Sequence, residues 1–343
     1  MNHTHDEHEH DHDDHEHSGP LVELVTLRDW LRYAVTRFNR AQLFFGHGTD
    51  NAWDEAVYLL LHTLALPLDR LEPFLDACIP LEERETLLDI IERRVDTRQP
   101  AAYLTGEAWL RGVCFRSDAR ALVPRSLIAE ALDTSLAAYL DAFQRPDSWP
   151  ERVLDLCTGG GSLAVLCAMR FPDSRLRASD LSEPALSLAA ENASLHGLGG
   201  RIELVQGDLL APHQGERFDL IVCNPPYVCD ASMALLPQEF RAEPRFALAG
   251  GPDGMQLIAR ILSEAAQHLT QAGLLILEIG HEAEHFERAF PTLEFAYLPV
   301  EAGEQMLVAI EAQALSALRP SPRPARRARA VGAARQPGRR PAA

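Results

Sequence analysis

The hydrophobic pattern changes its period along this chain of 343 residues. Between Leu21 and Arg98, apolar positions recur at three- and four-residue spacing, as in Leu27, Trp30, Leu31, Ala34, Val35 and Phe38, and again in Ala56, Leu59, Leu60 and Leu64. That spacing predicts amphipathic helices packed into a small bundle, punctuated at Pro67 and Pro80. From Tyr103 to Arg125 the character changes: Trp109, Val113, Phe115, Leu122 and Val123 flank the polar run Arg116 to Arg120, which predicts a β-hairpin joining two domains. From Glu151 onward, short apolar runs alternate with helical stretches. Strands are predicted at Arg152 to Cys157, Leu176 to Ser179, Ile202 to Gln206, Phe218 to Cys223, Leu274 to Ile279, Leu293 to Leu298 and Met306 to Glu311, with helices at Ser162 to Arg170, Pro184 to His196 and Met255 to Leu269. An α/β fold follows, an open and largely parallel sheet covered by helices on both faces. The expected organisation is a tail over 1–20, a helical domain over 21–102, a hairpin linker over 103–127, a sheet domain over 128–312 and a second tail over 313–343.

Composition separates the ends from the body. Residues 1–17 hold seven acids and no arginine, interleaved with half of the fourteen histidines, while 312–343 hold eight arginines and no acid. Neither end has the apolar residues of a core, so both read as disordered extensions rather than as a metal site or an RNA-binding domain. The formal charge is −18, and the body between the tails is strongly acidic, which opposes binding to phosphate backbones through the globular surface. All 32 basic residues are arginine, so Schiff-base, P-loop and kinase-type chemistry is excluded. Six cysteines without a CxxC pair, no export signal and no apolar run of membrane length suggest a reduced cytoplasm and no membrane contact.

The candidate chemistry lies at the ends of the predicted strands. The first ends in Asp155-Leu-Cys157-Thr158-Gly159-Gly160-Gly161 directly before a helix, where glycines permit a tight turn and helix amides stand free. Asp180 ends the second strand, 25 residues after Asp155, and can accept both hydroxyls of a ribose; Asp208 follows the third. Carboxylates without a basic partner for a pyrophosphate point to a phosphate-free, cationic nucleoside, S-adenosylmethionine rather than NAD or ATP. The fourth strand delivers Asn224-Pro225-Pro226-Tyr227. There the prolines hold the chain extended, the Asn224 oxygen and a proline carbonyl can accept both hydrogens of a planar NH2 group, and Tyr227 can cover that plane by stacking. His47 and His62 are expected to be structural, and Cys223 and Cys229 lack companions for zinc.

These residues resemble the class I S-adenosylmethionine-dependent amino-methyltransferases. Within them, Leu122-Val-Pro-Arg-Ser126 with Glu130 resembles the protein-glutamine N(5)-methyltransferases. The runs Phe44 to Glu55, Ala101 to Trp109, Leu236 to Phe240 and Glu243-Pro244 are similar to the branch that modifies large-subunit ribosomal protein L-three. The resemblance implies a Rossmann-like, seven-stranded fold with a helical substrate-recognition domain in front. It implies cofactor contacts from Asp155, Cys157, Thr158, Gly159, Gly160, Gly161, Asp180, Asp208, Leu209 and Asn224. Substrate contacts fall to Arg125, Asn224, Pro225, Pro226 and Tyr227, and catalysis to Asn224, Pro225 and Tyr227, with no metal. The implied activity is methyl transfer to a glutamine amide nitrogen of ribosomal protein L-three, free or in an assembling large subunit, without sequence-specific nucleic-acid binding. A release-factor glutamine methyltransferase, an adenine amino-methyltransferase and a non-catalytic ribosome-assembly factor are the alternatives. Arg125 is expected to pair with Glu130 or with substrate.

Overall fold

A computed structural model of the protein describes residues 19–318 other than 144, 147 and 148. The readings of residues 1–18 and of the arginine-rich stretch from residue 319 lie outside the described residues. Among those described, no helix is long and apolar enough to cross a membrane.

The helical periodicity is realised as three main helices, Leu27–Arg40, Ala52–Thr63 and Leu81–Thr97. The first starts at a capping box, in which the Thr26 hydroxyl accepts from the Asp29 amide and the Asp29 carboxylate accepts from the Thr26 amide at 2.9 Å. Trp30, Leu31, Ala34 and Phe38 are buried against Ala56, Leu59 and Leu60 of the second helix and Leu87 and Ile91 of the third. One cation lies inside this bundle: Arg94 is fully buried and donates to the Glu55 carboxylate at 2.7 Å.

The hairpin forms from β1 (Glu107–Leu110) and β2 (Val113–Arg116), but its turn is not the polar run expected from the sequence. Arg111 and Gly112 both adopt left-handed backbone, with φ of 52° and 76°, as a two-residue turn between right-twisted strands requires. Leu122 and Val123 therefore lie beyond the hairpin, in the segment that reaches the sheet domain.

That domain is built on β3 (Arg152–Leu156), β4 (Arg175–Asp180), β5 (Ile202–Gln206) and β6 (Phe218–Cys223), followed by a small pair, β7 (Val228–Cys229) with β8 (Ala249–Gly251), and by β9 (Leu269–Glu278), β10 (Ala296–Tyr297) and β11 (Leu307–Glu311). The seven-stranded sheet has the order β10-β11-β9-β6-β3-β4-β5, with β11 antiparallel to both neighbours and the other pairings parallel. Its centre is apolar on both faces because consecutive side chains alternate: Leu220 and Val222 of β6 enter one core, Ile221 and Cys223 the other. β10 is shorter than predicted, since Leu293 is held in a turn with Phe290 and Pro299 has no amide to continue the ladder. The fold also passes the expected boundary at 312: the helix Ala312–Ala317 buries Ala312 and Leu315 against the sheet.

The buried cation gives a stability prediction. Arg94→Met keeps an aliphatic stem but strands the Glu55 carboxylate in the bundle, so unfolding free energy should fall by about 3–5 kcal/mol in urea titrations. Replacing Glu55 by leucine in the same variant should recover much of the loss.

Candidate functional site

The glycine turn after β3 is shaped by two acids. Asp155 is fully buried beneath it, where its carboxylate accepts from the Thr158 hydroxyl. Asp180, at the end of the neighbouring strand, accepts the Gly159 amide at 2.9 Å on one oxygen and the Ser182 amide at 2.9 Å on the other. Burial pushes the Asp180 carboxyl above its ordinary range despite these amides, and burial pushes Asp155 up to about 7. Cys157 and Gly159 take left-handed backbone, with φ of 61° and 55°. Gly161 serves packing: a Cβ there would stand 2.8 Å from that of Ala189, so its absence lets the helix Glu183–Leu195 lie against the turn.

The turn opens into a cavity of about 340 Å³ at the C-terminal ends of the strands, lined by Cys157, Thr158, Gly159, Gly160, Asp180, Asp208 and Leu209. Leu156, Leu163, Leu181 and Pro226 add apolar wall. The sequence suggested a crevice free of cations. In the structure Arg120 and Arg125 reach it, but both are committed: Arg120 to Asp118 and Glu191, Arg125 to Glu243. Asp208 sits on the rim, paired with Arg260 at 2.7 Å. Of the two described acids that line the cavity, Asp180 is half-buried and free of any cation, with lone pairs left over for a diol. Apolar walls, a half-buried carboxylate acceptor and no uncommitted cation among the described lining residues suit a nucleoside without phosphates that carries positive charge, so the residues fit S-adenosylmethionine. Asp155 and Gly161, expected as cofactor contacts, do not line the cavity among the described residues: Asp155 lies buried beneath the turn and Gly161 packs behind it against Ala189.

Asn224 follows β6 and lines this cavity together with a second one of about 360 Å³. The second is walled by Pro225, Tyr227, Leu122, Arg125, Leu127 and Met306 among others, whereas Pro226 lines the first. The Asn224 side-chain amide makes no hydrogen bond to another described residue, so its donor and acceptor stay available between the two spaces. Tyr227 borders the second cavity as a fixed wall: its hydroxyl donates to Glu278 at 3.0 Å and its ring is wedged near Gly280, where an added Cβ would approach within 2.4 Å.

Two acids to which the sequence assigned no site role organise these walls. Glu243, buried, accepts from the Val123 amide at 3.0 Å and from Arg125 at 3.0 and 2.6 Å, and contacts His47 at 3.3 Å. Burial raises the Glu243 carboxyl, but His47 and Arg125 outweigh that and hold it below the usual range. Arg125 therefore pairs with Glu243, and not with Glu130, which accepts the Glu301 amide. Glu278, at the end of β9, accepts from Ser126, Leu127 and Tyr227. An acid inside the apolar run Leu274 to Ile279 was the available signal for Glu278; Glu243 lies in an aperiodic loop, where the Glu243-Pro244 pair marked the resemblance without showing a role.

Comparison with known proteins agrees with this geometry. The family model for the methyltransferase small domain matches residues 129–251. A Bordetella pertussis protein named ribosomal protein uL3 glutamine methyltransferase is 54% identical over 287 residues, 83% of this chain and 95% of the relative. Proteins of the same name from Burkholderia pseudomallei and Neisseria gonorrhoeae are 50% and 48% identical over 85% and 82% of this chain, covering 96% and 93% of their own lengths.

Asp180→Ala should weaken S-adenosylmethionine binding by about 1.5–3 kcal/mol in calorimetry, the usual loss for hydrogen bonds to a charged group. Asp155 gives a pH signature. Its carboxyl holds a proton more tightly folded than unfolded, so its contribution to stability is present below pH 4 and declines as pH rises to about 7. Thermal melts of Asp155→Asn should lack that decline relative to the unsubstituted protein.

Proposed function

The chain belongs to the ribosomal protein uL3 glutamine methyltransferase family, and from that premise we propose that it methylates the side-chain amide nitrogen of a glutamine in ribosomal protein uL3, with Asn224 as the residue that presents the amide. The observation that carries this reading is the position of Asn224, whose unpaired amide stands between the cavity suited to the donor and a second cavity of different lining.

Asp180, Leu209 and the turn from Cys157 to Gly160 would hold S-adenosylmethionine, which would supply an electrophilic methyl group on a sulfonium centre. The chain's own task is to hold the acceptor. An amide nitrogen is a weak nucleophile because its lone pair is delocalised into the carbonyl. The Asn224 oxygen and the Pro225 carbonyl accept its two hydrogens, which fixes the plane of the group and turns the nitrogen toward the first cavity. Those same acceptors place partial negative charge beside a nitrogen that becomes positive, in a setting from which Tyr227, Leu122 and Leu127 exclude water. Arg125, held by Glu243 on one side, borders both cavities and faces the peptide that carries the glutamine. The acidic body suits a basic protein client better than a nucleic acid.

Incubation with labelled S-adenosylmethionine and unmodified ribosomal protein uL3 should place one methyl group on a single glutamine, located by tandem mass spectrometry; an unlabelled uL3 in the presence of active protein would overturn the substrate assignment. Asn224→Ala should lower kcat by about two orders of magnitude and change S-adenosylmethionine affinity little, because the lost contact matters chiefly in the transition state.

A further inference from the structure

We infer that Glu278 is a positioning residue for this reaction, a buried carboxylate that sets the width of the acceptor cavity by tying its two walls to one point. The inference rests on the second cavity being the place where the glutamine amide is held.

Glu278 ends β9, the strand beside β6 that leads into Asn224. It is 3% exposed, and its two oxygens take three donors. One oxygen accepts from the Ser126 hydroxyl at 2.6 Å and the Leu127 amide at 3.0 Å; the other accepts from the Tyr227 hydroxyl at 3.0 Å. All three donors belong to segments that border the second cavity, and none of the three lies in the seven-stranded sheet, although Tyr227 directly precedes the short β7. Leu127 follows the linker segment Leu122 to Ser126, and Tyr227 follows the turn that carries Asn224. A buried carboxylate is an expensive fastener, since an apolar residue of similar volume would serve stability as well or better. Its advantage is directional: hydrogen bonds to one rigid group fix distances that apolar contact leaves loose.

The surroundings complete the constraint. Added Cβ atoms would come within 2.7 Å of the Tyr227 backbone at Gly250, within 2.2 Å at Gly254, and within 2.4 Å of its ring at Gly280. Tyr227 is thus enclosed on three sides, and its hydroxyl has one remaining freedom, which Glu278 removes. Arg125, the other charged group close to Glu278, is itself held by Glu243, so the two carboxylates divide the work: Glu243 anchors Arg125 toward the helical domain and Glu278 anchors Ser126 and Leu127 toward the sheet. With both in place, Tyr227 and Asn224 stand at a fixed separation from Leu127 across the cavity.

The test is a kinetic comparison of Glu278→Gln, Tyr227→Phe, Ser126→Ala and the double variant Tyr227→Phe/Glu278→Gln, with ribosomal protein uL3 as substrate. Loosening a wall should reduce kcat about ten-fold or more and raise KM for the protein substrate, with S-adenosylmethionine affinity within two-fold by calorimetry. The double variant should be no slower than Glu278→Gln, because both remove the same tie. Glu278→Asp, which keeps the charge but shortens the reach, should fall between. Tyr227→Phe and Ser126→Ala preserve packing and carry the test if Glu278→Gln does not fold. Variants that melt earlier yet keep kcat and KM would overturn the inference, as would additive losses or a parallel loss of cofactor affinity. An unsubstituted protein that leaves uL3 unmethylated would overturn the functional reading instead.

Discussion

Residues far apart in the chain converge on one buried carboxylate. Glu243 takes the Val123 amide, both terminal nitrogens of Arg125 and the His47 ring, and so joins the helical domain, the linker and the loop between β7 and β8. Phe240, from the same loop, packs under the Arg125 guanidinium and against His47, with a ring separation of 4.2 Å from the latter. Glu239 of that loop accepts from the Phe44 amide and from Arg98. A buried charge is tolerable only when its partners are complete, so the loop and the helical domain must dock together or not at all. The walls of the second cavity inherit their positions from that requirement.

The donor side obeys the same logic with backbone partners. Asp155 and Asp180 lie side by side under the turn, and their carboxylates are spent largely on a hydroxyl and two amides of the turn and of the next helix. They hold Cys157 and Gly159 in left-handed backbone, which for cysteine has a steric cost. The acid that lines the cavity and the acid that supports the turn beneath it are thus on adjacent strands, separated by burial rather than by type.

Between the two sides, the turn at Asn224 acts as a partition. The chain leaves the apolar strand β6, and the two prolines carry alternate faces into different cavities, Pro226 to one and Pro225 to the other. A reaction between a bound nucleoside and a protein side chain needs such a divide, because each partner must enter from its own direction and meet at a single point.

How much of this was legible in sequence depends on the range of the physics involved. The apolar runs of β5 and β6 and the helix Ser162–Arg170 were readable to the residue, since burial on a repeating element imposes its period locally. That the glycine turn, Asp180 and the Asn224 to Tyr227 segment would stand together was readable because strand ends in an open sheet converge by topology. The hairpin turn at Arg111-Gly112 was missed because a two-residue turn has almost no length over which to show a pattern. Asp155 and Gly161 stand beside the cavity without lining it, a difference the spacing of the motif does not show. The pairing of Arg125 with Glu243 rather than Glu130 and the gathering of Ser126, Leu127 and Tyr227 on Glu278 were decided only by tertiary structure. A buried carboxylate takes its donors from whatever the fold brings within about 3 Å, and that distance bears no relation to separation along the chain.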